Sequence, residues 1–409
     1  MSTGPDGRPV RATFPWVPVL ALLLVALNLR APFVGVSVVT DELRSALDAS
    51  SGEIGLLTSL PVLCFGLAAP LALAVVRRLG AEVAVVVCLA GVVLGSLVRS
   101  TGSLAGAAVG TVVVGLGITI GNIVVPVLIR RSTPPAYVGA VTGAYTATLN
   151  IGSMCVLVGT APLADAAGWQ VALVAPAVVA SLAIAVWWRV ALPRRIPVAR
   201  GVAEEPGAGE SAVPADGGTR ARPLWREPVV LLLALAFAGQ ATSYYSLTAW
   251  LPSVLSDEAG AGDAAGGLAA VFQVAAIIGA VGVPLLALRV PEWCTVALVG
   301  VLWTSFPVQL LAAPDAYLLG SLLGGAAQGG GFSAIFTIIA RVARSDRESA
   351  GMSTFVQTVG YAVAAVGPTL LGAVHDATGS WTVPLALVVG TTATFTVAGS
   401  AAALSARRR

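Results

Sequence analysis

The chain has no lysine and a single histidine among its 409 residues, and only 11% of it is charged. Soluble proteins carry about 25% charged residues, so this scarcity excludes a water-exposed surface for most of the chain. One histidine, His375, excludes histidine-based metal chemistry by count. Cysteine is sparse too. Cys64, Cys88, Cys155 and Cys294 fall singly in apolar runs with no C-x-x-C spacing, which argues against a disulfide framework or a zinc site. No metal and no cofactor is expected. Residues 1–13 include Pro5, Asp6, Gly7 and Pro9 rather than the charged-then-apolar pattern of a cleaved signal peptide, so the first apolar run is expected to be retained.

What the chain has in abundance is apolar: 57% of it is hydrophobic and its mean hydropathy is +0.90. A membrane span takes about 20 apolar residues. The apolar runs predict helices over 15–37, 53–76, 83–99, 103–128, 138–162, 169–190, 228–252, 265–288, 292–312, 314–340, 348–373 and 381–404. The expected architecture is an all-α membrane protein of twelve transmembrane helices: a six-helix bundle over 1–190, a cytoplasmic linker over 191–227 and a second six-helix bundle over 228–409. The linker is rich in Pro, Gly, Ala, Glu and Arg, as in Glu204-Glu205-Pro206-Gly207, and cannot bury a core.

Arginine placement tests the count, because cytoplasmic loops are enriched in basic residues. With the N-terminus inside, the inner segments hold 20 of the 23 basic residues; Arg44 and Arg99 fall outside and Arg30 within the membrane. A wrong count would scramble this alternation. The protein is expected in the cytoplasmic membrane with both termini cytoplasmic and the lipid bilayer as its medium. A weak parallel repeat relates the halves. Gly143, Gly152 and Gly159 recur as Gly351, Gly360 and Gly367, and Gly117 and Gly121 as Gly325 and Gly329, all 208 residues on. Parallel halves with a site between them near the midplane are the logic of secondary transporters.

Arg30 lies about 14 residues into the first helix, hence about 21 Å along it, near the midplane. It is the one charge assigned to the hydrocarbon core. A charge there costs at least a few kcal/mol unless protein or water solvates it, and a guanidinium stays protonated. All 20 acidic residues assign to loops or helix ends, so no intramembrane carboxylate is on hand to pair with it. Its forked donors suit a planar, anionic or strongly polar solute. Pro32 is expected to kink the helix just beyond it.

Asn28-Leu29-Arg30-Ala31-Pro32, Gly117-Ile118-Thr119-Ile120-Gly121-Asn122 with Pro126 and Leu128-Ile129-Arg130-Arg131, Thr142-Gly143-Ala144-Tyr145 with Asn150, Tyr244-Tyr245 with Trp250-Leu251-Pro252, and Gln328-Gly329 together resemble the major facilitator superfamily, and within it the cyanate and nitroimidazole permease family. The loop after the second helix departs from the usual G-x-x-x-D-R-x-G-R-R: it reads Arg77-Arg78-Leu79-Gly80-Ala81-Glu82, with no acid before the glycine and Glu82 at a basic position. The resemblance implies a twelve-helix, monomeric carrier.

Candidate solute-binding residues are Arg30, Asn122, Tyr145, Asn150, Gln240, Tyr244, Gln328, Phe332, Gln357 and Tyr361. Gln240 and Tyr244, Gln357 and Tyr361, and Gln328 and Phe332 are each four apart, so each amide shares a helix face with a ring, a reasonable wall for a flat polar solute. The competing account for each amide is a helix–helix hydrogen bond. Trp250, near a helix end, is read as a possible interfacial anchor. The run Gly324–Gly331 lacks the Lys-Ser/Thr of a phosphate loop, so nucleotide or nucleic-acid binding is not expected; close helix packing or a broken helix is.

Proton carriers in membranes are buried Asp, Glu or His; here Glu53, Asp165, Glu227 and His375 come nearest, all at interfaces. The expected function is secondary transport of a small anionic or polar planar solute, cyanate-like, nitroimidazole-like or a small carboxylate, by alternating access around Arg30. The alternative is multidrug efflux on the same fold with Arg30 structural. An enzyme would need a clustered nucleophile and base or metal ligands, which are absent.

Overall fold

The computed structural model describes residues 14–191, 226–287 and 289–407. The first 13 residues and nearly all of the expected linker lie outside them. The described chain is helical throughout, as apolar sequence in lipid must be when every backbone N–H and C=O has to find its partner within the segment.

The first span is α1 (Trp16–Leu27), α2 (Ala31–Val34) and a tight turn over Gly35–Val38, followed by a short helix, α3 (Thr40–Leu47). Next come α4 (Ser51–Leu67), α5 (Ala69–Leu79), α6 (Ala81–Arg99), α7 (Leu104–Ser132), α8 (Pro135–Ala167) and α9 (Trp169–Val190). The second half holds α10 (Pro228–Glu258), α11 (Ala265–Ala287), α12 (Glu292–Ala312), α13 (Tyr317–Val342), α14 (Asp346–Ala364), α15 (Val366–Thr378) and α16 (Thr382–Ala406). Among the described residues, eleven helical segments are long and apolar enough to cross a bilayer, or twelve if α3 and α4, bent by 116°, are taken as one. We assign the twelfth span to α4 with α5. The two are parted only at Ala68, whereas α3 is short and carries Asp41, Glu42 and Arg44.

Three spans are broken where continuous helices were expected, and each break precedes a proline. Pro32, Pro70 and Pro368 stand two or three residues into α2, α5 and α15. A proline has no N–H to give the preceding turn, but is tolerated in the first turn of a new helix.

The repeat is real in three dimensions, but part of its register differs from the expected one. Gly110 and Gly320 both press on the neighbouring α6 or α12, and Gly115 and Gly325 on α4 or α11. Glu82 pairs with Arg131 at 3.8 Å, and Glu292 with Arg341 at 3.1 Å. All these matches are 210 residues apart. The matching of Gly117 and Gly121 with Gly325 and Gly329 is therefore a coincidence of glycine-rich sequence: Gly117 meets α6, while Gly325 meets α11. Between α8 and α14 the 208-residue spacing does hold, since Gly152 packs on Leu27 of α1 and Gly360 on Phe237 of α10. The run Gly324–Gly331 is unbroken helix in close contact, with Gly325 and Gly329 against backbone carbonyls of Phe272 and Ala276.

The halves meet mainly at the end opposite the chain termini, here the far end. There α4 lies on α14 and α15, α8 on α11, and the Gly35–Val38 turn on α10. Gly52 and Gly55 sit against Ala373 and Pro368, Ser59 and Thr369 share a hydrogen bond of 2.9 Å, and Asp376 takes Arg44 at 3.5 Å and the Gly52 N–H at 3.3 Å. At the other end α5 stays with α6 and α7 of its own half. Trp250 is no interfacial anchor: it is buried, donates to the Pro368 carbonyl at 2.8 Å and stacks near Trp381.

A Cβ at Gly55 would lie 2.5 Å from the Pro368 carbonyl oxygen, so backbone would have to give way. Gly55→Val is expected to hold the far end open. In that background a cysteine at position 59 should react with a membrane-impermeant thiol reagent that leaves it untouched otherwise; equal protection in both would show that the seal does not depend on this contact.

Candidate functional site

Arg30 sits in the break of the first span. Its backbone, at φ −128° and ψ −37°, belongs to neither helix. The last turn of α1 tightens as the Asn28 and Leu29 amides reach back three residues, to Val25 and Ala26 at 3.0 and 3.1 Å. Pro32 then denies the ladder its next donor. Asn28 turns its own amide onto the Leu24 carbonyl at 2.9 Å. Small residues let neighbours close on the break: a Cβ at Gly152 would be 2.4 Å from the Leu27 carbonyl oxygen, and one at Gly121 the same distance from the Leu29 side chain.

The Arg30 guanidinium bridges the halves. Nη1 donates to Asn150 Oδ1 on α8 and to the Tyr244 hydroxyl on α10, both at 3.1 Å, and the guanidinium carbon stands 5.3 Å from the Tyr244 ring centre. Such a placement adds cation–π attraction. Asn150 is 3% exposed, and its Nδ2 is held on the Thr146 carbonyl at 3.0 Å, so its oxygen is aimed at the arginine. Tyr145, Tyr245 and Tyr361 lie within electrostatic reach of the same charge. Arg30 itself is only partly buried, and among the described residues no carboxylate pairs with it.

Rings from both halves surround this charge. Phe33, Phe65 and Tyr245 form a triangle with centroids 6.1–6.3 Å apart. Tyr361 touches Phe65 at 5.9 Å and Phe237 at 5.1 Å. Tyr244 is 4.9 Å from Tyr245 and 6.2 Å from Phe332. The edge-to-face arrangement is the one aromatic quadrupoles favour. A single cation within a ring-lined, largely uncharged space can hold a flat anion or a polarised heterocycle.

The structure thus brings Arg30, Tyr145, Asn150, Tyr244, Phe332 and Tyr361 together. Gln240 departs from expectation: it is fully buried, and its Nε2 donates to the Gln328 carbonyl at 3.0 Å, tying α10 to α13. Gln328 is buried at the other end of that tie. Gln357 is half-buried and donates to the Ser353 carbonyl on its own helix at 3.2 Å. Asn122 is exposed, on the face of α7 shared with Pro126 and Arg130.

Phe33 and Phe65 went unread because apolar rings in an apolar span carry no signal. Tyr245 stood in a quoted motif but was not chosen. Arg99, assigned to an outer loop, is in fact only 1% exposed; Arg30 is not the only charge in the interior.

Glu53 closes a capping box with Ser50 at the start of α4, Asp165 is exposed near the end of α8, Glu227 precedes α10, and His375 stacks on Trp381 at 4.1 Å. None of them touches Arg30. Glu292 is the one carboxylate in the buried class among the described residues, and it is bonded to Arg341.

This is an all-helical, two-bundle membrane protein with a cation where its halves meet, and the Major Facilitator Superfamily profile matches residues 19–299. The chain belongs to that superfamily, whose members are transporters and not enzymes. It is 31% identical over 372 residues, 90% of each chain, to the 2-nitroimidazole transporter of Escherichia coli (strain K12). It is 29% identical over 389 residues, 94% of this chain and 92% of the other, to an uncharacterized transporter of Bacillus subtilis (strain 168). Among solved structures, a D-xylose–proton symporter superposes with a TM-score of 0.71 at 13% identity, covering 96% of this chain and 97% of that one. A bacterial homologue of the human lysosomal transporter Spinster, inward-facing and unoccupied, gives 0.70 at 16% identity with the same coverage. At such identities these show the fold.

Hydrogen bonds to a charged group contribute about 1.5–3 kcal/mol each. Asn150→Leu and Tyr244→Phe are each expected to lower the stability of the solute-free protein by about 1–3 kcal/mol, read as the thermal midpoint in detergent. Unchanged midpoints for both would mean that water already satisfies Arg30.

Proposed function

We propose that this protein is a secondary transporter that moves a small anionic or polar planar solute across the cytoplasmic membrane by alternating access, with Arg30 at its central site. The observation that carries the reading is the position of Arg30 itself: a partly exposed guanidinium, with no carboxylate partner, at a helix break between the two halves and ringed by aromatic side chains. Nη1 is engaged by Asn150 and Tyr244, which leaves Nη2 and Nε as donors for a solute. Cyanate, small carboxylates and nitroimidazoles share the required chemistry, and the similarity to a 2-nitroimidazole transporter supports placing planar heterocycles among them.

The bundles run over 1–190 and 228–409, joined by a cytoplasmic linker over 191–227, and the positive-inside bias puts both termini in the cytoplasm. On that orientation the sealed far end is extracellular and the conformation faces inward. Solute reaching Arg30 from the cytoplasm would leave when the α4–α15 seal opens and the opposite end closes, or the reverse for uptake. Because the hydrogen bonds of Arg30 among the described residues go to Asn150 and Tyr244 and to no acid, the charge borne by the solute is the natural means by which potential or proton gradient acts on transport. The working unit is the monomer.

Arg30→Gln tests the reading by ligand-induced thermal stabilisation of the purified protein. Cyanate, benzoate or 2-nitroimidazole is expected to stabilise the native chain, and the variant, while folded, should bind about tenfold or more weakly, since a charged hydrogen bond of at least about 1.4 kcal/mol is lost. Equal stabilisation of both forms by cationic or apolar drugs would overturn it in favour of efflux, with Arg30 structural.

A further inference from the structure

We infer that Arg99 is the positioning residue of the central site, anchoring the broken segment that presents Arg30. Arg99 ends α6 and is among the largest fully buried side chains of the protein, 1% exposed. Its Nη1 donates to the Pro32 carbonyl, and its Nη2 to the Leu173 carbonyl on α9 at 3.0 Å. Among the described residues it has no carboxylate partner, and its Nε has no acceptor. A guanidinium on one helix that is spent on main-chain carbonyls of two others is a clamp: it joins α6 to α2 and α9.

The place of the clamp matters. Pro32 is two residues from Arg30, and the chain between them lacks a regular helical ladder on the N-terminal side. Beyond Pro32 the α-helix gives way to the tighter turn over Gly35–Val38, so α2 is a single short turn with little helix of its own to hold it. A charged donor takes up that carbonyl more firmly than a neutral one. If α2 shifted, Arg30 would move relative to Asn150 and Tyr244, which belong to other helices.

The internal repeat supplies a control. Gly110 approaches the backbone of Arg99, and Gly320 approaches Gln309, placing Gln309 as the counterpart of Arg99 in the second half. Gln309 turns its amide N–H back onto the Ala313 carbonyl at the end of its own helix, and among the described residues it makes no hydrogen bond to another helix, although it packs on Gly320 of α13. The bundle architecture therefore closes without an arginine at this position, and the arginine occurs in the half that carries Arg30.

This inference rests on Arg30 being the solute-binding group, and the test keeps the two apart. In the full-length protein, amide exchange over residues 28–38 is compared for native, Arg99→Met and Arg99→Lys chains, since exchange reads local opening. Exchange there is expected to rise about tenfold in Arg99→Met and less in Arg99→Lys, which can still reach one carbonyl, while α16 is unchanged. Affinity for 2-nitroimidazole and benzoate should fall about tenfold, with no further fall when Arg99→Met is added to Arg30→Gln. Unchanged exchange, a rise spread over both halves, or losses that add in the double variant would overturn the assignment. Undiminished affinity in Arg30→Gln alone would fail the central-site reading, while the exchange comparison still judges the clamp. Should Arg99→Met not fold, Arg99→Lys carries the same comparisons.

Discussion

The protein is built around a guanidinium held in an apolar interior with no carboxylate partner among the described residues. A charge in that setting has to be solvated by something, and here the solvation comes from dipoles and rings: the Asn150 oxygen, the Tyr244 hydroxyl and the aromatic faces nearby. The break between α1 and α2, the glycines that let α7 and α8 close on it, and Pro32 just beyond it all serve to place this one group between two bundles. A carboxylate in the same place would neutralise the arginine and occupy its donors. Its absence keeps the donors on Nη2 and Nε open.

The two halves share a plan but not a role. Each repeats the same acid–arginine tie at its arginine-bearing end, Glu82 with Arg131 and Glu292 with Arg341, and the same glycine contacts between neighbouring helices. The first half then adds two interior arginines, the partly buried Arg30 and the fully buried Arg99. The second contributes rings and the tie between Gln240 and Gln328. Duplicated scaffolds with unequal side chains put the Arg30 contacts on the seam between the halves, the place where secondary carriers of this kind hold their sites. The far-end seal is likewise a seam of small residues, Gly52, Gly55 and Gly372, where backbones touch, and its one ion pair, Arg44 with Asp376, is solvent-accessible, so its partners can be hydrated when the seam parts.

Much of this was readable from residues. Twelve apolar runs with arginines on one side define the topology, since lipid tolerates helices and little else. Arg30 announced itself by cost. Tyr244 and Tyr361 followed from helical spacing, and Asn150 from a motif. The reading went astray where direction mattered. Arg99 was assigned outside because the positive-inside rule says which end a residue is near and not which way it points. Gln240 was read as a cavity wall because its four-residue spacing from Tyr244 is the same whether that face looks at a cavity or at α13. The glycine register of α7 and α13 was misread by two residues because glycine is common enough in both for more than one alignment.

The sequence by itself determined the class of structure: the apolar spans, the internal duplication and the presence of an arginine within a span with no acid beside it in sequence. These depend on local quantities, hydropathy along a segment and charge between segments, which a chain carries without folding. Only the tertiary structure decided which side chains meet. Asn150 and Tyr244 are 120 and 214 residues from Arg30, Pro32 is 67 from Arg99, and the Phe33–Phe65–Tyr245 triangle joins three helices. In a membrane, apolar faces do not distinguish lipid from protein by hydrophobicity. Which face turns inward is settled by close packing of small residues and by a few buried hydrogen bonds, and those exist only once the helices are assembled.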